Sequence, residues 1–271
     1  MNARPAWGQA FEPGALKHLE PIPGIEDLTE EWAWGGATGA GVRVAVIDSG
    51  VDAHHPGLPR GVQGYVAIED GPEGVVLAEG EHADVFGHGT ACAGIIRSLA
   101  PECDILSVRV LGPRLRGRGE VFISGLRWAI EHGANVCNLS LGTTKREHSA
   151  ELHDIADLAY FKGVILVTAA NNMPVESYPS LYSAAISVAA HGDGPERGHY
   201  YNPNPPVEFG APGIEIPVLW PGGQISATGN SYAAPYISGL AALLLSKHPG
   251  LTVFQVKTVL RALAANVRSA R

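Results

Sequence analysis

The sequence predicts an α/β fold built on a mostly parallel sheet with helices on both faces. Short runs of apolar, often β-branched residues end in turns, as buried strands do. Segments with helical periodicity lie between these runs, and strands that alternate with helices favour a parallel sheet covered on both sides. The 34 glycines and 20 prolines among 271 residues indicate many tight loops around this core.

Five apolar runs are predicted as strands of the sheet. The first, Val42–Ile47, stops at Asp48-Ser49-Gly50, a sequence typical of a turn. The later runs are similar in length and composition, so they are predicted to lie beside it. The five predicted strands are residues 42–47, 105–111, 136–141, 164–168 and 186–190.

Five segments between and after these runs are predicted as helices. Residues 121–132 and 150–162 carry apolar groups on one face, so each should pack one side against the sheet. Residues 231–247 are nearly all apolar and are predicted to form a buried central helix. The other two predicted helices are residues 89–99 and 251–264.

The chain divides into a proline-rich N-terminal leader, residues 1–38, and one domain, residues 39–271. Hydrophobic residues at 45% and charged residues at 17% exclude a disordered chain. The formal net charge of −8 gives no basic surplus for a nucleic-acid partner. No apolar run approaches the ~18 residues of a membrane span, so no membrane partner is expected.

Localisation is predicted from the first residues and from the cysteines. The first residues lack the apolar segment of a signal peptide. Cys92, Cys103 and Cys137 include no close pair, which argues against a disulfide framework or a zinc site and favours a reducing compartment. We therefore expect a cytoplasmic protein, or a secreted one if the sequence has been trimmed.

Three polar residues stand where an α/β sheet exposes side chains. Asp48 ends the first strand, His88 precedes a helix, and Ser231 opens the most apolar helix. A serine hydroxyl needs an adjacent base, and that base needs a third group to fix its tautomer. Taken singly, an Asp here is usually a turn former, a His a loop residue and a Ser an N-cap. Together they supply the three parts of a nucleophilic site.

The chain resembles the subtilisin-like serine proteases (peptidase S8 family) over roughly residues 30 to 265. This resemblance implies a three-layer subtilisin-like fold, and the order Asp, His, Ser is the one known for subtilisin. The matching stretches are VAVIDSGVD at 44–52, GHGTACAGI at 87–95, NLSLG at 138–142, VTAANN at 167–172 and GNSYAAPYISG at 229–239.

The resemblance implies a role for each matching residue of a serine endopeptidase. Ser231 would be the nucleophile, His88 the general base and then acid, and Asp48 the residue that orients His88. Asn172 aligns with the family's oxyanion-hole amide, and the backbone N–H of Ser231 would be the second donor. The partner implied is a peptide or protein substrate.

The resemblance also implies residues that bind the substrate. Ser140, Leu141 and Gly142 match the segment that pairs with substrate as a β-strand, and Ser177 falls at the floor of the P1 pocket. Arg116 and Arg118 lie in a basic loop that would attract acidic substrate residues, although a solvated loop is the simpler interpretation. Glu176 beside Ser177 would instead favour a basic P1 residue if it points into the pocket.

The sequence departs from the family at several points. Asn230 stands where the family usually has Thr, Tyr232 where it has Met, and Asn171 where it has Gly. Residues 95–101 run almost straight into the next strand, which leaves no room for the family's calcium-binding loop. We therefore predict no metal and no cofactor, with weaker calcium sites elsewhere left open.

Alternative functions use the same scaffold. The endopeptidase could be a specialised protease that processes one precursor. A non-catalytic peptide-binding module would need none of the four catalytic residue types. A peptide ligase or macrocyclase would use the same acyl-enzyme and exclude water, for which a lid would be expected. The leader could lie across the cleft as an inhibitor or simply pack on the surface.

Overall fold

The computed structural model describes residues 28–72, 74–192, 198–204 and 206–267. Within these residues, a nine-stranded sheet forms the centre of the molecule. All five predicted strands belong to it, with ends shifted by at most two residues. They are β1 (Arg43–Asp48), β4 (Asp104–Arg109), β5 (Val136–Leu139), β6 (Ile165–Ala169) and β7 (Ile186–His191).

Six further strands were not predicted from the sequence. β3 is largely exposed and β8 has only two residues, so neither carries the apolar run of a buried strand. The last two strands pair with each other as a separate antiparallel hairpin. The six are β2 (Gly64–Gly71), β3 (Gly74–Glu79), β8 (Tyr200–Tyr201), β9 (Phe209–Pro212), β10 (Ile216–Trp220) and β11 (Gly223–Ala227).

The order of strands in the sheet is β3-β2-β4-β1-β5-β6-β7-β9-β8. Every pair from β2 to β9 is parallel, as predicted. The two outermost pairs, β2 with β3 and β8 with β9, are antiparallel. The prediction of a mostly parallel sheet is therefore confirmed.

The central strands are buried on both faces because their side chains alternate between two cores. In β1, Val44 and Val46 belong to one core and Ala45 and Ile47 to the other, and all four have no exposed area. Burial on both faces explains why these strands read as continuous apolar runs in the sequence.

Helices cover both faces of the sheet, in three layers. The five predicted helices are confirmed as α2 (His88–Leu99), α3 (Gly119–Glu131), α4 (Ser149–Phe161), α5 (Asn230–Lys247) and α6 (Val253–Ala262). α2, α5 and α6 pack in the first core, and α3 and α4 pack in the second. In the described part of the chain, no helix combines the length and apolarity needed to cross a membrane.

A short helix, α1 (Glu30–Trp34), lies in the predicted leader and packs at the C-terminal end of α5. Ala33 is fully buried in the first core. The Lys247 ammonium donates to the carbonyl oxygen of Gly35 at 2.8 Å, and the His248 ring stacks on Trp32 with centroids 4.1 Å apart. Because α5 is about 27 Å long, this part of the leader lies far from Ser231. Residues 1–27 are outside the described residues.

Candidate active site

The topology brings the predicted catalytic residues to one edge of the sheet. Asp48 is the last residue of β1, His88 the first of α2, and Ser231 the second of α5. Parallel strands present their carboxyl ends together, and the helices that follow begin at that edge. The loop that follows β6 also starts there, and Asn172 is its third residue.

Two glycines allow α2 to begin beside β1. Gly87 has a φ of 114°, a backbone conformation that side chains disfavour, and a Cβ there would lie 2.5 Å from Pro221. A Cβ at Gly89 would overlap the carbonyl oxygen of Gly50. These close approaches place the His88 side chain against the end of β1.

Asp48 and His88 form a buried pair. The imidazole Nδ1 of His88 lies 2.9 Å from each carboxylate oxygen of Asp48. Asp48 has no exposed area and His88 is 6% exposed. Since an ionised carboxylate only accepts hydrogen bonds, the proton of a neutral His88 is held on Nδ1 and Nε2 keeps its lone pair.

The pKa of His88 lies above its ordinary value. Burial by itself would lower this pKa, because it disfavours the imidazolium. The charge and hydrogen bond of Asp48, with a further contribution from the charge of Asp84, outweigh burial and raise it. The site is thus built to accept a proton on His88.

Asp84 also fixes the start of α2. Its carboxylate accepts from the backbone N–H of Gly87 at 2.7 Å and of Thr90 at 2.9 Å, and from the Ser49 hydroxyl at 2.8 Å. A carboxylate at a helix N-terminus satisfies free N–H groups and complements the helix dipole. Asp84 was not among the predicted site residues, because it stands outside the N-cap position, which Gly87 occupies.

Ser231 and His88 border the same cavity, of about 450 Å³. The Ser231 hydroxyl donates to the carbonyl oxygen of Ser140 at 3.1 Å. The ring of Tyr232 lies 5.3 Å from the His88 ring, between centroids. Within the described residues Ser231 and His88 share no hydrogen bond, and bonds between a nucleophile and its base often tighten only when substrate binds.

A buried polar chain supports the backbone of Ser231 from below. The Ser140 hydroxyl donates to the carbonyl oxygen of Ser231 at 2.7 Å and accepts from the Asn138 amide at 3.0 Å. The Ser238 hydroxyl in turn donates to the Asn138 side-chain oxygen at 2.9 Å. The chain connects the end of β5 to α5, so it fixes the position of Ser231 relative to the sheet.

Asn172 lies beside the start of α5. Its side-chain oxygen accepts from the backbone N–H of Asn230 at 2.9 Å. This bond leaves the two N–H groups of the Asn172 amide as the part free to face a ligand. The structure therefore brings Asn172 to the residue next to Ser231.

Five of the six predicted substrate-binding residues line the 450 Å³ cavity with His88 and Ser231. Its volume falls within the usual range for ligand sites, about 300–1,000 Å³. The lining also includes residues that the sequence analysis missed, because their positions follow from loop packing. The predicted residues are Ser140, Leu141, Gly142, Arg116 and Arg118, and the missed ones include Leu111, Phe122, Thr143 and Lys145.

The two predicted arginines differ in their partners. Arg118 lies 3.0 Å from a carboxylate oxygen of Asp70 and 2.8 Å from one of Glu120. Arg116 forms no salt bridge within the described part of the chain. Of the two, only Arg116 therefore offers a free cation to the cavity.

Ser177, the sixth predicted residue, lines a different cavity of about 400 Å³ together with Asn171 and Glu176. It is 4% exposed, and its hydroxyl lies 3.0 Å from that of Ser180. The Glu176 carboxylate lies 3.4 Å from the Arg146 guanidinium at the surface. Ser177 is thus a neighbour of the Gly142 segment but does not border the cavity that holds Ser231.

The chain was compared with known proteins. A sequence model of the Subtilase family (Peptidase S8) matches residues 39–270. The chain belongs to the subtilase family. It is 34% identical to a subtilisin of Bacillus pumilus over 251 residues, which cover 86% of this chain and 87% of the relative. It is 35% identical to subtilisin E of Bacillus subtilis (strain 168) over 84% of this chain, but spans only 62% of that relative's length.

Solved structures agree with this assignment to the subtilisin-like serine proteases. A cold-adapted subtilisin-like serine proteinase has a TM-score of 0.69 and 27% identity, covering 86% of this subtilase and 87% of that chain. Sphericase has a TM-score of 0.72 and 26% identity, covering 83% of each chain. The predicted three-layer subtilisin-like fold is confirmed.

The prediction of a cytoplasmic location is wrong. The relatives of this subtilase are subtilisins, which are secreted extracellular proteases. Free cysteines do not identify a reducing compartment when burial protects their thiols from oxidation. All three cysteines are free and buried here, so their reduced state follows from packing.

One group of residues in the described part of this subtilase has the ligand types of a metal site. Potential ligand atoms of Asp48, His88 and Cys92 lie within 4.8 Å of one another, and all three residues are buried. A metal bound to Nδ1 of His88 would displace the proton that Asp48 accepts. The trio therefore fits a hydrogen-bonded pair next to a buried thiol better than a metal centre, and the absence of a metal stays a prediction.

Proposed function

We propose that this subtilase is an active serine endopeptidase that works through an acyl-enzyme on Ser231. The observation that carries the proposal is the buried His88–Asp48 pair at 2.9 Å, with His88 and Ser231 on one ligand-sized cavity. A scaffold that only binds peptides has no need for a buried, hydrogen-bonded His–Asp pair beside a serine. Substrates would be peptides or proteins, as for the family.

In the acylation step, the Ser231 oxygen attacks the substrate carbonyl carbon while His88 Nε2 takes the hydroxyl proton. Asp48 holds Nδ1–H and stabilises the imidazolium that forms. His88 then gives its proton to the leaving amine as the C–N bond breaks. Water hydrolyses the acyl-enzyme by the same steps in reverse order, with His88 again as base and then acid.

The negative charge on the substrate oxygen would be met by two donors. One is the Asn172 side-chain amide, whose oxygen is already held by the Asn230 N–H. The other is the backbone N–H of Ser231, at the N-terminus of an 18-residue helix. Loss of one such donor typically lowers kcat by ~10²–10³.

The lining of the 450 Å³ cavity suggests how a peptide binds. The segment Ser140–Gly142 continues from β5 and offers its backbone at one wall, and the loop with Arg116 forms another. Among the described residues Arg116 has no acidic partner, and it lines the cavity together with Lys145. We propose that the site prefers a substrate with an acidic side chain near the scissile bond.

A fluorophosphonate probe tests the nucleophile. The wild type should be labelled, and Ser231→Ala should not. Ser98→Ala, at an exposed serine of α2, is the matched control and should be labelled like the wild type. Folded wild-type protein that neither reacts with the probe nor cleaves casein peptides would refute the proposal. Ligation of added peptide amines at the expense of hydrolysis would instead indicate the ligase alternative.

A further inference from the structure

Asn230 uses its whole side-chain amide to join three segments of the chain. Its Oδ1 accepts from the backbone N–H of Ala190, in β7, at 2.8 Å. Its Nδ2 donates to the carbonyl oxygens of Ala170 and Asn171, each at 3.1 Å. These carbonyls belong to the loop between β6 and Asn172. One side chain thus fixes the ends of two strands against the start of α5.

The backbone of Asn230 makes the matching contact. Its N–H donates to the side-chain oxygen of Asn172 at 2.9 Å. Asn172 is therefore held twice: its loop by the Asn230 side chain, and its amide by the Asn230 backbone. The orientation of that amide determines where its N–H groups point.

The residue type at position 230 is suited to these contacts. Asparagine has one acceptor oxygen and two N–H donors on the same planar group, so it can accept once and donate twice. A carboxylate of the same shape has no donor and would face the carbonyl oxygens of Ala170 and Asn171 with negative charge. A threonine has a single hydroxyl donor on a shorter side chain and cannot donate to both carbonyls.

We propose that Asn230 is a positioning residue that sets the geometry between the Asn172 amide and the Ser231 N–H. The inference rests on the proposed function, in which these two groups stabilise the oxyanion. Asn230 itself touches no substrate. A displacement of about 1 Å at a reacting centre can cost ~10²-fold in rate, so a loop freed from Asn230 should lower kcat.

The test compares steady-state kinetics of Asn230→Asp and Asn230→Thr with the wild type on one peptide substrate. Both variants should lose about 10- to 10²-fold in kcat, with KM changed less than about twofold. Asn202→Asp is the matched control. Asn202 also donates to two loop carbonyls, of Asn204 at 2.7 Å and Val207 at 2.8 Å, outside the site. It should retain wild-type kcat.

A double-mutant cycle with Asn172→Ala separates positioning from general stability. If Asn230 acts through Asn172, adding Asn230→Asp to Asn172→Ala should lower kcat less than about threefold further. The inference would be overturned if the losses in kcat of Asn230→Asp and Asn172→Ala multiply in the double variant. An effect on KM alone, or wild-type kcat in both Asn230→Asp and Asn230→Thr, would also overturn it. If Asn230→Asp does not fold, the cycle with Asn230→Thr decides. An inactive wild type would refute the proposed function instead.

Discussion

The Ser140 hydroxyl donates a 2.7 Å hydrogen bond to the carbonyl oxygen of Ser231. Ser140 was predicted to lie at the substrate edge, and it does line the cavity there. Its side chain, however, points inward and supports the helix that carries Ser231. Ser140 therefore contributes its backbone to the cavity and its hydroxyl to the buried polar chain.

Ser140→Ala should destabilise the protein by about 1–3 kcal/mol, because it leaves the buried Asn138 amide and the Ser231 carbonyl without this partner. Thermal or urea unfolding measures the change. Ser98→Ala, whose hydroxyl bonds only within an exposed turn of α2, is the control and should change stability far less. Equal stability of the two variants would contradict a structural role for the Ser140 hydroxyl.

The raised pKa of His88 predicts the acidic side of the pH profile. Only neutral His88 can accept the Ser231 proton, so kcat/KM should fall as the pH drops through this pKa, with a midpoint above 6.5. By linkage, the same interaction with Asp48 stabilises the fold below pH 6.5 and is lost as the pH rises through the folded-state pKa. Initial rates across pH 4–9 (about five units, spanning the ordinary histidine pKa) check the midpoint.

Asp48→Asn should lower kcat by ~10⁴ and move the acidic midpoint to lower pH, because the charge that raises the pKa of His88 is removed. Asp154→Asn, at an exposed position of α4, should change neither quantity. An unchanged midpoint in Asp48→Asn would show that another group controls the profile.

Arg116→Glu should reverse the preference for acidic substrate residues, since it places a negative charge in the cavity that holds Ser231. Arg114→Glu is the matched control, because Arg114 is exposed and does not line this cavity. Cleavage of a peptide library by the two variants and the wild type gives the comparison. The same library profile for Arg116→Glu as for the wild type would refute a role in specificity.

The three thiols should be unreactive in the folded protein. All are buried, and burial raises the pKa of Cys103 to about 11 and that of Cys92 well above its ordinary value. A chromogenic disulfide reagent at pH 8 should detect no thiol before unfolding and three in denaturant. A thiol that reacts rapidly in the folded state would contradict this expectation.

Calcium removal tests the prediction that the protein binds no metal. The connection between α2 and β4 consists of residues 100–103 only, and an oxygen-ligand loop needs more chain than this. Treatment with EDTA should leave the Tm unchanged, with re-addition of calcium as the control. A fall in Tm that calcium restores would contradict the prediction and would show that the protein binds calcium at another position.

The sequence was most informative where burial is continuous. Strands buried on both faces, such as β1, read as apolar runs, and Asp48 stands out at the end of one. The antiparallel edge strands were missed because their side chains face solvent or because they are too short to form a pattern. A sequence pattern indicates whether a segment is buried, but it does not indicate which strand pairs with that segment in the sheet.

The difference between local patterns and distant contacts also explains which residues of the site could be predicted from the sequence. Asp48, His88, Ser231 and Asn172 could be identified because each stands in a distinctive local motif. The role of Asn230, the contact of Asp84 with Ser49, and the pairing of Arg118 with Asp70 depend on segments far apart in the chain. No local pattern predicts which distant carbonyl or carboxylate such a side chain meets.

The packing of α1 has a consequence for where this protein can be cut. The match to the Subtilase family model begins at residue 39, yet Ala33 is fully buried and Trp32 stacks on His248. A fragment that starts at the family boundary would lose these contacts and open a gap at the far end of α5. Fragments for expression should therefore begin no later than Leu28, so that α1 and its contacts with α5 are kept.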